Sequence, residues 1–295
     1  MYRRLLVTLD GSELSEVVLP YITVLVDKMG LDVFLLHVSN QEHDELMPLH
    51  KAYIERTVEV IRERVKEAGG GGDTGSGEIT VEVKGELVPG HPVEEILRYI
   101  GKNDIDLVLM ATHGHSGLRR WAMGSVAEKV IQGSRVPVWL VPARCKGEVS
   151  CGVWPEAPLL GPLDGSELAE GVLEHVETLA GRGGIGPVKV VLLRVVESPV
   201  MSDHYFSNIP LTREQIDKYL NRIEARLKKA GLDVEPRVLT GEPAEQIVDY
   251  IGSGQFSLVV MSTHARSGLS RWVMGSVAMK VVSGSSTPLF LVRPS

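Results

Sequence analysis

The stretch "THGHSGLRRWAMGSVAEKV", Thr112 to Val130, returns as "THARSGLSRWVMGSVAMKV", Thr263 to Val281. In the first copy Gly114, nine further residues and then Gly124-Ser125 lead into "VAEKVI", a loop that returns to the N-terminus of a helix. Unpaired amides at such an end, together with the positive end of the helix dipole, suit an anion. Glycine lets backbone N–H groups approach phosphate oxygens with no Cβ in the way. The second copy keeps Gly275-Ser276 but carries Ala265 where the first has Gly114. If that position needs positive φ or close approach to phosphate, the methyl costs on the order of 1 kcal/mol. A micromolar site commands only about 8 kcal/mol in total, so a tenfold weakening of the second copy is expected. The same residues also read as a capping box, in which Ser125 caps the helix and Glu128 reaches back, and that needs no ligand. In the second copy Met279 replaces Glu128 and leaves Ser276 as the cap. Spacing alone leaves anion binding and simple capping both open.

Other constellations offer less chemistry. "HGHSG", His113 to Gly117, resembles a nucleophile elbow, but Leu118 stands where the second glycine is required. Ser116 and Ser267 are therefore expected to be ordinary loop hydroxyls, and the duplicated His113 and His264 to be structural anchors. His37, His43 and His50, with Asp44 and Glu45, fit no recognised metal spacing, so no metal site is expected. Their segment reads as a crossover lying near the loop. Trp121 and Trp272 are expected to anchor packing, with Arg119, Arg120 and Arg271 near phosphate charge. No nucleophile or catalytic base stands out, so the expectation is a protein that is not an enzyme, with at most slow hydrolysis of a bound nucleotide. The glycine-rich "AGGGGDTGSGE", Ala68 to Glu78, lacks the Lys-Ser/Thr and the following helix of a phosphate loop and reads as a connector. Cys145 and Cys151 are expected to be reduced thiols.

The elements that position these residues come in two sets. "LLVTLDGSELSE" from Leu5 is echoed by "LLGPLDGSELAE" from Leu159, "VFLLHVS" from Val33 by "VVLLRVVE" from Val190, and "GHPVEEILRYI" from Gly90 by "GEPAEQIVDYI" from Gly241. The period is about 150 residues, domain size rather than a solenoid module. Two homologous domains are expected, over residues 1–145 and 155–295. In the first half "RLLVTL", "DVFLLHV", "TVEVKGEL", "IDLVLMAT" and "VPVWLV" read as strands. Between them "ELSEVVLPYITVLVDKM", "AYIERTVEVIRERVKEA", "PVEEILRYIGK" and "SVAEKVIQ" carry helical periodicity. Continuous Val/Leu runs argue for strands covered on both faces, and each half is expected to be a five-stranded parallel α/β domain. Ligands of such sheets settle beyond the carboxyl ends of the strands, where strand order reverses. Asp10 and Asp164 end the first strand of each half, and the duplicated loop follows the fourth. The closing strands "VPVWLV" and "TPLFLV" would leave bare apolar edges, so they are expected to pair with each other within one chain. Further homo-oligomerisation stays open.

The chain of 295 residues has 43% hydrophobic and 23% charged content and a formal net charge of −7. That balance disfavours nucleic acid and anionic membrane as partners. No apolar stretch approaches the roughly 20 residues of a membrane span, and a cytoplasmic location is expected.

The order "LDGSE" after strand one, "LLHV" ending strand two and "THGHSGLRRWAMGSVAEKV" before "VPVWLV" resembles the universal stress protein family, twice over, across essentially each half. The resemblance implies two Rossmann-like domains in a tandem stress-response protein, and ATP, alone or with Mg2+, as the ligand. Many members of that family bind ATP through Gly-x2-Gly-x9-Gly-Ser/Thr, and others lack the pattern and bind none. Carried onto this chain, the pattern implies Ala111, Gly114, Gly124, Ser125 and Val126 around phosphate, Asp10 on the ribose side and the backbone of Val38 at adenine. Ala111 departs from the pattern's first glycine. In the second half the pattern falls on Ser262, Ala265, Gly275, Ser276 and Val277, with Asp164 and Val195 in the other roles, and both early glycines are missing. Adenine nucleotide held mainly by the N-terminal half is therefore one reading; an interaction scaffold with degenerate glycine loops is the other.

Overall fold

A computed structural model describes residues 1–39, 45–67, 81–113, 123–143, 157–181, 184–186, 188–197, 212–254, 256–263 and 274–294. The chain divides into two compact units, Met1–Gly152 and Val153–Ser295. In the first, strands β1 (Arg4–Leu9), β2 (Asp32–Ser39), β3 (Val83–Pro89), β4 (Leu107–Ala111) and β5 (Val138–Val141) form one sheet. β1 pairs with both β2 and β4, β2 with β3 and β4 with β5, all parallel, which gives the order β3-β2-β1-β4-β5. The second unit repeats this with β6 (Leu159–Pro162), β7 (Val190–Val196), β8 (Val234–Thr240), β9 (Leu258–Ser262) and β10 (Leu289–Val292), in the order β8-β7-β6-β9-β10. Order therefore reverses between β1 and β4 in one unit and between β6 and β9 in the other.

The apolar runs explain the sheets. β4 and β5 are buried at every position, and among the described residues Trp139 of β5 and Phe290 of β10 are the bulkiest fully buried side chains. Parallel strands covered on both faces need this composition, since neither face meets water. Helices α1 (Leu19–Met29), α2 (Met47–Glu67), α3 (Pro92–Lys102) and α4 (Ser125–Gly133) belong to the first unit. The second has α5 (Glu167–Glu170), α6 (Leu173–Ala180), α7 (Arg213–Lys229), α8 (Pro243–Ser253) and α9 (Ser276–Gly284). α2 buries Ile54, Val58, Ile61 and Val65, and α7 buries Ile216, Leu220, Ile223 and Leu227, each a stripe at three- and four-residue steps.

Two helix starts differ from the periodicity reading. The first helix was expected from Glu13, but a 3-10 turn at Glu16–Val18 precedes α1, which has Pro20 in its first turn. Proline has no N–H to give and fits best where none is needed, so the α-helix starts there. α2 begins at Met47 rather than Ala52, again with a proline, Pro48, in its first turn. His50 is thus helical and no longer part of an irregular crossover. His43 and Asp44, the glycine-rich Ala68–Glu78, and both cysteines lie outside the described residues.

Candidate functional site

The carboxyl edge of the first sheet at its reversal gathers three segments: the turn after β1, the last residues of β2 and the entry to α4. The turn is built by Asp10. Its Oδ1 accepts from the Ser12 amide at 3.0 Å and from the Ser12 hydroxyl at 2.6 Å, while Gly11 between them takes φ +79°. Only glycine adopts that conformation without strain. Asp164, Gly165 and Ser166 copy it, with distances of 2.9 and 2.6 Å and φ +84°. The carboxylate rotamer is therefore fixed by its own turn in both halves.

At the end of β2 the backbone does something the strand pattern did not reveal. The β1 ladder stops at Leu9↔His37, whereas β2 runs on beside β3 as far as Ser39. Ser39 O accepts from Gly90 N at 2.9 Å on the β3 side. Backbone groups in a parallel strand alternate between its two neighbours, so the N–H and C=O of Val38 point to the β1 side, past the end of that ladder. The second half repeats the arrangement. Leu163 N donates to Leu193 O at 2.8 Å and Gly241 N to Val196 O at 3.0 Å, which turns Val195 toward the β6 side beyond Pro162.

The duplicated loop is closed at its base. Gly124 N donates to Thr112 O at 2.8 Å, Thr112 N to Val141 O at 2.9 Å and Ala143 N to the Thr112 hydroxyl at 3.0 Å. Thr263 does the same for Gly275 N, at 2.9 Å, and bonds Val292 O at 2.9 Å. Both threonines are buried. A Cβ on Gly124 would lie 3.0 Å from Thr112 O and crowd this approach, its φ of −62° being ordinary. His113 places Nδ1 2.9 Å from the Thr112 hydroxyl, the anchoring role expected of it. His264 and the stretch 114–122 with Gly114, like Ala265, lie outside the described residues.

The capping box expected at Ser125 is absent. Gly124 is the N-cap of α4, Ser125 is its first residue, and no side chain caps this end among the described residues. Glu128 N bonds Gly124 O at 3.0 Å, and its carboxylate accepts from Gln132 at 3.3 Å instead of reaching back. Ser276 likewise follows its N-cap, Gly275, and caps nothing. The reason is the closure itself: a glycine drawn against Thr112 or Thr263 takes the cap position, and the serine is pushed one place into the helix. The amides of Ser125, Val126 and Ala127, or of Ser276, Val277 and Ala278, belong to the turn whose N–H groups have no partner inside the helix. They are donors suited to an anion, at an end that no described side chain caps. Ala111 ends β4 as regular strand, paired with Val141, where a methyl is harmless. Ser262 does so in β9, paired with Val292.

Around Asp10 the first half is crowded with rings. His37 is buried, with its ring centroid 4.4 Å from that of His50 and 6.1 Å from that of Tyr53. Burial, then the negative Glu16 and Asp10, push the Tyr53 phenol above its usual range. Among the described residues no group of three His, Cys, Asp or Glu side chains is placed to hold a metal. Sequence reasoning missed Thr112 and Thr263 as clasps and Gly11 and Gly165 as turn makers. Their signal was present, since "TH" and "DGS" are written in both halves.

The model of the universal stress protein family matches residues 1–142 and again 158–293. The chain belongs to that family, as a tandem of two domains. A universal stress protein of Methanocaldococcus jannaschii is 28% identical over 141 residues, which cover 48% of this chain and 82% of that protein. One from Mycobacterium bovis is 26% identical over 219 residues, 73% of this chain and 70% of its own. Among solved structures, a universal stress protein from Archaeoglobus fulgidus superposes with a TM-score of 0.72 at 19% identity, covering 99% of this chain and 98% of its own, a likeness of fold. No helix among the described residues is long and apolar enough to cross a membrane.

Proposed function

We propose that this universal stress protein is an ATP-binding regulatory protein whose N-terminal half holds the nucleotide. The observation that carries the reading is the convergence at one sheet reversal of Asp10, the Val38 backbone pair and the start of α4 at Gly124-Ser125-Val126, which no described side chain caps. An N–H and a C=O side by side complement the mixed donor and acceptor edge of a base. A carboxylate on a rigid turn suits sugar hydroxyls, and helix amides suit phosphate. Gly114 and Ala111 complete the loop, with Mg2+ as the companion of the phosphates. The C-terminal half has the same parts in Asp164, Val195, Gly275, Ser276 and Val277, but Ala265 weakens its loop. Binding rather than turnover is the activity, in the cytoplasm. The two domains, 1–145 and 155–295, pair within the chain through β5 and β10, whose apolar edges each need a cover.

Calorimetric titration of ATP onto the full chain tests the nucleotide reading. One tight site per chain is expected, lost in Gly124→Val and kept in Gly275→Val, with thermal melts showing that both variants fold. Affinity and stoichiometry unchanged in Gly124→Val would leave the glycine loops as scaffold only.

A further inference from the structure

The two crevices differ at one buried position. β2 and β7 align as "VFLLHVS" and "VVLLRVVE", so His37 of the first half corresponds to Arg194 of the second. Each stands one residue before the valine whose backbone faces the crevice, and each lies over the glycine of the Asp-Gly-Ser turn. A Cβ on Gly11 would meet His37 Cε1 at 3.8 Å. A Cβ on Gly165 would meet Arg194 Nη1, Cζ and Nη2 at 3.6, 3.7 and 3.7 Å. The resemblance ends there. The imidazole leans toward α2, against His50. The guanidinium instead reaches back over the mouth of the strands, where Nη1 donates to Leu163 O at 3.2 Å. It is 5% exposed, so a full positive charge lies beneath the surface against Gly165. Tyr219 of α7 joins this group: burial and Glu170 raise its phenol, while Arg194 and Arg222 pull the other way.

From this, and resting on the nucleotide reading above, we infer that Arg194 is the specificity-determining residue of the second half. Its guanidinium, bonded to Leu163 and laid over the Asp164-Gly165 turn, occupies the ground a purine ring needs beside Val195 and closes that crevice to adenine nucleotides. A base entering there has to displace the guanidinium from a buried, charge-assisted hydrogen bond, a loss equivalent to about ten- to hundredfold in affinity. His37 instead packs its ring against His50 of α2, away from that ground. The difference between the halves thus lies at the base end of the crevice as well as in the phosphate loop.

Two exchanges separate these ends. His37→Arg in the full chain is expected to weaken ATP binding at least tenfold in calorimetry. In a Gly124→Val background, which removes the first site, Ala265→Gly alone is compared with Ala265→Gly plus Arg194→His. The double exchange is expected to bind ATP at least tenfold more tightly than Ala265→Gly alone, because the phosphate loop is the same in both. Equal binding by these two chains overturns the inference, as does wild-type affinity in a folded His37→Arg. If His37→Arg fails to fold, judged by its thermal melt, the second comparison decides. Wild-type protein that takes up no ATP removes the nucleotide reading and this inference together, whereas ATP bound by wild type and equally by His37→Arg removes the inference alone.

Discussion

At the scale of single residues, small groups do the positioning. Gly11 and Gly165 turn the chain where φ is positive, and the aspartate before each is thereby held in one rotamer by the serine after it. One half-buried residue outside the crevice sets a pH limit. His175 of α6 has its ring centroid 5.7 Å from that of Phe290, and burial holds its imidazole below the ordinary 6.5, against the opposing pull of Glu174. A lowered value in the folded state means that the unfolded chain binds more protons between the two values. Stability from this residue is therefore complete above about pH 6.5 and drains away as pH falls toward the folded value. Thermal melts from pH 7.5 to 5 should show a decline that is shallower in His175→Leu than in wild type; parallel declines would exclude His175 as the cause. Duplication made the candidate residues legible, marking Asp10, Gly124 and Ser125 by their copies Asp164, Gly275 and Ser276. What was not legible was contact across the chain. The cap at Ser125 was read from four consecutive residues, yet Thr112, far back along the loop, decides who caps.

Among elements, the strands were readable because continuous apolar runs have one use in an α/β sheet, and the order β3-β2-β1-β4-β5 follows the doubly wound pattern. Helix starts were less so: Pro20 and Pro48 mark them by what proline cannot donate, a signal weaker than periodicity. Nor did periodicity show how closely elements approach. A Cβ added to Gly85 of β3 would lie 2.6 Å from methyl carbons of both Ile54 and Val58, so α2 rests directly on the bare backbone of β3. Its register partner in the second half is Pro236, opposite Leu192 as Gly85 is opposite Leu35. β3 and β8 pair on one side only within their units, where a missing N–H is tolerated. Gly85→Val should lift α2 from the strand and destabilise the chain by about 1–3 kcal/mol in urea unfolding, the usual range for overpacking. A variant as stable as wild type would show that α2 moves without cost.

Across the whole molecule, duplication gave two frames of the same kind and then let the crevices diverge, His37 against Arg194 and Gly114 against Ala265. The proposed pairing of β5 with β10 has a direct check. A specific protease site inserted between residues 145 and 155, once cut, should leave two fragments that elute together in gel filtration under native conditions; separate elution would dismiss the pairing. The threonine clasp has a consequence for energetics as well. Bringing the ends of a loop together costs chain entropy that rises with its length. Thr112 and Gly124, like Thr263 and Gly275, meet that cost when the domain folds, through one backbone bond at the loop's base. An anion held at the start of α4 would be spared that closure cost, which the fold has already met. The same holds in the second half, whose loop is joined at its base by the bond from Gly275 N to Thr263 O.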